Sequence, residues 1–216
     1  MRRVAYLTAV LLALSSAGMV ARADAEPAAP LPDPNSHSGG TTLQRGNFIW
    51  LRPSLGYDMF TALLAAEVGY ARSLAPEVDA SIALAGNLGF ATAVGTTLRL
   101  RWSALHYGNF HMAVDLPFSN AMYPDGESPH LRIVGVEPGV MMSNVFDDSF
   151  GIFYGSMLRV YYAASTYFVG PQARLGAGFS FKELRLALAV NASHVAVTNT
   201  PAMTLFSLDL LFGYAF

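Results

Sequence analysis

No cysteine occurs in the 216 residues. That absence removes disulfide staples, thiolate metal sites and cysteine nucleophiles together. Charge is also scarce: charged side chains make up 13% of the chain, where about a quarter is ordinary for a soluble domain. Lysine occurs once, at Lys182, and the formal net charge is -2. No basic field is therefore available for nucleic acid. Long apolar runs are missing too, since after Arg45 none reaches the roughly 18 residues that a membrane-spanning helix needs. There is no glycine-rich phosphate loop, no HExxH helix and no calcium loop, so no cofactor is expected. What the chain does have is hydrophobicity, at 53% of residues. A chain this apolar and this poor in charge should touch something other than water.

The first residues read as an export signal. Arg2 and Arg3 precede an apolar run from Val4 to Val20, and small residues follow at Ala21, Ala23 and Ala25. Cleavage after Ala23 or Ala25 fits the small-residue rule, and residues 1–25 are expected to be a signal peptide. Residues 26–45 carry Pro27, Pro30, Pro32, Pro34, Gly39 and Gly40. They hold too few apolar side chains to fold alone and read as a disordered periplasmic lead-in.

From residue 46 to 216 the hydrophobicity comes in strand-sized pieces. The expected strands are Asn47 to Tyr57, Thr61 to Ser73, Glu77 to Ala85, Phe90 to Ser103 and Tyr107 to Pro117. Leu131 to Met142, Phe150 to Tyr162, Tyr167 to Phe181, Glu183 to His194 and Met203 to Phe216 complete the set. Most match the about 9 to 11 residues of a tilted barrel strand. Within them the two parities differ. Leu184, Leu186, Leu188 and Val190 oppose Arg185, Ala187, Ala189 and Asn191, while Val94, Leu98, Leu100 and Trp102 oppose Gly95, Thr97, Arg99 and Arg101. A buried parallel sheet would show continuous apolar runs, and a soluble sandwich would charge its polar parity. Here that parity is largely Gly, Ala and Ser, which suits a narrow lumen. The expected fold is all-β: a transmembrane antiparallel up-and-down barrel of about 10 strands, with 8 as the alternative count. Two strands fit less cleanly, because Phe48 and Trp50 share the inner face with Arg52, and Leu131, Ile133 and Met141 share it with Glu137.

The last strand places Leu208, Leu210, Phe212, Tyr214 and Phe216 on one face, with Gly213 on the other, and ends on an aromatic residue. On these residues the chain resembles the small outer-membrane barrels of Gram-negative bacteria. The resemblance implies that Phe212, Tyr214 and Phe216 form an assembly signal read by the barrel-assembly machinery. It also implies outer-membrane lipid as the surrounding partner and the bacterial outer membrane as the location.

Projected inward are Arg52, Arg99, Arg101, Arg159, Arg174 and Arg185, with Glu67, Asp79, Asp115, Glu137 and Asp209. In a poorly solvated lumen these should pair as a charge network that plugs the barrel. A constricted path for ions or small solutes lined by the same groups is the alternative. Tyr57, Tyr70, Trp102, Tyr162, Tyr167 and Phe181 lie near strand ends and suit an aromatic girdle. Arg72 and Arg132 fall on the lipid parity at strand ends, where long side chains can snorkel. For catalysis the available residues are Asp58, Asp115, His130, Ser193 and His194, but Ser193 and His194 point to opposite faces of a strand. His111 and Asp115 share the inner face two pleats apart and read as a polar contact rather than a metal site. The reading is a non-enzymatic barrel with a structural or surface-interaction role and no identified ligand. A porin-like channel is the alternative, and a lipid-modifying or proteolytic enzyme the remote one.

Overall fold

In the computed structural model, residues 39–40, 43, 46–57, 62–88, 93–122, 132–163, 165–197 and 200–216 are described. Alternation of apolar and small or polar residues drives the described chain into strands, and each strand pairs antiparallel with its neighbours. The strands are β1 (Asn47–Tyr57), β2 (Ala62–Ala75), β3 (Val78–Leu88), β4 (Ala93–Tyr107), β5 (Phe110–Met122) and β6 (Arg132–Val136). They continue as β7 (Gly139–Asp147), β8 (Phe150–Ala163), β9 (Thr166–Phe181), β10 (Leu184–Val197) and β11 (Thr200–Ala215). Sequential hairpins run around the wall, and β1 pairs with β11 to close it. Reciprocal bonds between Asn47 and Phe216, at 2.8 and 3.0 Å, fasten the seam at the termini.

β6 and β7 together fill one wall position between β5 and β8. The barrel is therefore ten-stranded, and the eight-strand count does not hold. The expected continuous sixth strand is broken at Glu137 and Pro138, because proline has no N–H to give to the ladder. The wall is mended locally: Glu137 N–H donates to the Pro117 carbonyl at 3.0 Å, and Leu158 N–H donates to the Pro138 carbonyl at 2.9 Å.

Four connections at the end that carries the seam are two-residue turns: 76–77, 108–109, 148–149 and 182–183. Asp147 organises the third, its Oδ1 accepting from Ser149 N–H at 2.8 Å and Phe150 N–H at 2.9 Å. Strand pairing runs past the expected strand end at Met142, through Ser143, Asn144 and Val145, into that turn. The fourth turn holds Lys182 at φ 57°, a left-handed conformation that favours glycine or asparagine. The strands also outrun several expected ends: β4 reaches Tyr107 and β5 reaches Met122.

The outer surface is apolar. Leu55, Val68, Leu84, Leu98, Leu175, Val190 and Phe212 are all exposed on it. The inner face is polar or small, with Asp79, Arg101, Asp115, Gln172, Arg174, Asn191 and Asp209 buried. This inverts the usual arrangement of a water-soluble fold. Phe48 and Trp50 do face inward, as their shared parity with Arg52 indicates, at 0% and 3% exposure. The narrow lumen admits these rings because bare glycine backbone lies under them. Trp50 covers Gly69 directly across the strand pair, and Phe48 covers Gly213. A Cβ at either glycine would collide with the ring. This explains why Gly213 faces away from Tyr214 and Phe216.

Candidate functional site

The lumen is built in layers from the tight-turn end outward. The first is apolar: Leu43, Phe48, Trp50, Met141, Phe153 and Leu211 form one buried cluster with Ala71, Ala83, Ala187 and Ala189. Leu43 belongs to the stretch expected to be a free lead-in, yet it is packed inside the barrel, and Gly39 and Gly40 are buried as well. Hydrogen bonds fix them: Leu43 N–H donates to Asp79 Oδ2 at 3.0 Å, and Gly40 N–H donates to Ser143 Oγ at 3.1 Å. Gly40 fits because it adds no side chain beside the His111 carbonyl.

Above this sits a fully buried carboxylate, Asp115, at 0% exposure. Arg101 holds it bidentately, Nε to Oδ1 at 2.9 Å and Nη2 to Oδ2 at 3.0 Å. Arg99 donates to the same two oxygens, with Nε to Oδ1 at 2.9 Å. Two guanidinium groups on one carboxylate would leave excess positive charge, and Asp79 stands directly across from Arg101 in the β3–β4 register. Such a buried carboxylate is tolerable only because every lone pair is engaged by a cation.

The third layer has three pairs. Arg52 meets Glu67 at 2.6 Å, and Trp50 Nε1–H donates to the other Glu67 oxygen at 2.8 Å. Arg159 Nε donates to Glu137 Oε2 at 3.1 Å, while the Tyr161 and Ser119 hydroxyls donate to Glu137 Oε1. The break at Pro138 sits beside Glu137, where the sixth wall position leaves regular pairing. Arg174 approaches Asp209 at only 3.5 Å and lies 5.6 Å from the centroid of the Phe153 ring. Beyond these pairs, toward the end away from the tight turns, lies a cavity of about 240 Å³. Its lining includes Trp50, Arg52, Glu67, Arg99, Glu137, Arg159, Gln172, Arg174 and Asp209.

Of the eleven inward charges named from sequence, the structure brings nine into these ion pairs and places Asp79 beneath them. Arg185 stands apart near the tight turns, donating to the Lys182 and Leu184 carbonyls. Tyr70, Trp102 and Phe181 sit near the tight-turn end, and Tyr162 and Tyr167 near the opposite end, the last two with ring centroids 5.0 Å apart. Phe212, Tyr214 and Phe216 are exposed on the outer face. Arg72 and Arg132 are exposed close to strand ends. Asp58, Phe90, His130 and the Tyr57 side chain lie outside the described residues. Among the candidate catalytic groups, Ser193 Oγ accepts from Arg159 at 3.2 Å, and His194 faces outward to Thr204 at 3.1 Å. No grouping of three His, Cys, Asp or Glu that could hold a metal occurs among the described residues.

One inward residue escaped the sequence reading. His106 Nδ1 lies 2.7 Å from His111 Nδ1, although simple alternation from Arg99 and Arg101 would turn it outward. A register shift between Ser103 and Leu105 reverses the parity, as a β-bulge does.

Neither a protein-family model nor a curated protein matches the sequence. Solved barrels match in shape. An outer membrane channel from Pseudomonas putida F1 is 11% identical, with a TM-score of 0.49, covering 89% of this chain and 100% of its own. The KdgM porin is 8% identical with a TM-score of 0.42, covering 78% and 99%. The outer membrane protease OmpT from Escherichia coli is 9% identical with a TM-score of 0.42, covering 79% and 94%. These likenesses name no family for the chain.

Proposed function

We propose that the chain is exported by a cleavable signal peptide and works in the bacterial outer membrane as a barrel whose lumen is shut at rest. Its role on this reading is structural or surface-interacting, with a vestibule facing outward. The observation that carries it is the inverted surface joined to the layered lumen: apolar side chains cover the outside, and an apolar layer topped by paired charges fills the inside near the tight turns. A continuous apolar exterior of this kind is costly in water and matched to lipid. Buried polar groups of the wall hydrogen-bond within the closed sheet, which a bilayer requires. The tight turns and the seam would face the periplasm, where barrels keep their short connections. Phe212, Tyr214 and Phe216 would be presented there to the assembly machinery, and Tyr70, Trp102, Tyr162, Tyr167 and Phe181 would sit at the two interfaces.

Planar-bilayer recording tests the shut lumen. Purified wild-type barrel should give no reproducible unitary steps, because ions would have to cross a desolvated layer of engaged charges. Regular steps from the wild-type chain would replace this reading with the narrow-channel one.

A further inference from the structure

We infer that the outward cavity binds a small hydroxycarboxylate, held by Arg174 and Gln172; this rests on the vestibule reading above. The polar groups lining the cavity are unevenly satisfied. Arg52, Arg99 and Arg159 each donate to a carboxylate at 3.1 Å or less. Arg174 has instead one contact with Asp209 at 3.5 Å, the outer limit of a hydrogen bond, and its Nε has no partner. Gln172 Oε1 likewise lacks a partner. Both side chains are more than nine-tenths buried, at 7% and 4% exposure, and both line the cavity. Buried polar groups of a native fold are almost always satisfied, and an exception needs a reason.

The two deficits are complementary. Arg174 Nε lacks an acceptor and Gln172 Oε1 lacks a donor. They sit one pleat apart on the inner face of β9, about 7 Å along the wall. A carboxylate turned toward Arg174 and a hydroxyl donating to Gln172 Oε1 would supply both from one molecule. Four arginines and three carboxylates, Glu67, Glu137 and Asp209, line the cavity, and Asp115 answers Arg99 from below, so it is the poorly engaged guanidinium of Arg174, not a net charge, that favours an anion. The fifth arginine and the remaining buried acids lie below it, at Arg101, Asp115 and Asp79. The volume limits size. About 240 Å³ is under the about 300–1,000 Å³ of sites for drug-sized ligands, so a single sugar acid fits the class better than an oligomer.

The chain carries its own reporter. Trp50 lines the cavity, and the chain has only two tryptophans, so Trp102→Phe leaves Trp50 as the sole emitter. The experiment titrates the mature full chain of that variant, refolded in detergent micelles and checked for a heat-modifiable gel band, with glucuronate and with glucose. Glucuronate should change Trp50 emission saturably, and glucose, lacking the carboxylate, should not. Arg174→Gln should weaken glucuronate at least about tenfold, as loss of a charge-assisted contact does. Gln172→Leu should weaken it less, without altering charge. Should Arg174→Gln not give the heat-modifiable band, Gln172→Leu decides. No saturable change on a heat-modifiable barrel would overturn the inference alone, as would equal response to glucose or unaltered affinity in the variants. A wild-type chain with no heat-modifiable band would overturn the barrel reading beneath it.

Discussion

At the scale of single residues, the lumen depends on a few groups that cannot be changed one at a time. Asp115 answers both Arg99 and Arg101. Asp115→Asn would strand two buried guanidinium groups and should destabilise the barrel by about 3–5 kcal/mol, the cost of breaking one side of a buried pair. Urea titration of folded barrel in lipid vesicles would measure it. Replacing Arg99 with methionine in the same variant should recover part of the loss, because one of the stranded charges is then gone. Gly69→Ala acts through shape instead. The added methyl meets the Trp50 ring, and the forced repacking should cost about 1–3 kcal/mol. A shifted Trp50 emission maximum and a lower unfolding midpoint would report it. No displacement of either would show that the ring has room the structure does not describe.

At the scale of elements, Gly39, Gly40 and Leu43 belong to the lumen. Because the chain has no cysteine, Leu43→Cys creates a single thiol. Leu43 is 6% exposed, so a hydrophilic maleimide should label this variant only after unfolding, while Lys182→Cys at an open turn should react in the folded barrel. Rapid labelling of Leu43→Cys in the native state would remove Leu43 from the lumen. The sequence could not have shown this packing, since Gly39, Gly40 and Leu43 carry no periodicity, and the anchors of Gly40 and Leu43 are backbone N–H groups. The wall was far more legible. Alternation in β4 and β10 sorted outside from inside, because one face meets apolar surroundings and the other a crowded lumen. It failed where the backbone departs from strict pleating. The bulge after Ser103 turned His106 inward, and Pro138 split the sixth strand. Which charges pair was equally hidden, because pairing depends on registers between strands distant in sequence, such as Arg159 with Glu137 or Arg174 with Asp209.

At the scale of the whole molecule, the account joins an apolar exterior to a closed and occluded lumen. The first property concerns location and the second transport, and the first is prior, since a water-soluble chain would void the vestibule, the girdle and the assembly signal together. Cell fractionation followed by a denaturing gel, run unboiled and boiled, tests that central claim most directly. The account predicts that the mature chain travels with outer membranes and migrates differently before and after boiling, because a ten-stranded closed wall resists the detergent until heated. A chain found in the soluble periplasmic fraction, with one mobility under both conditions, would contradict it.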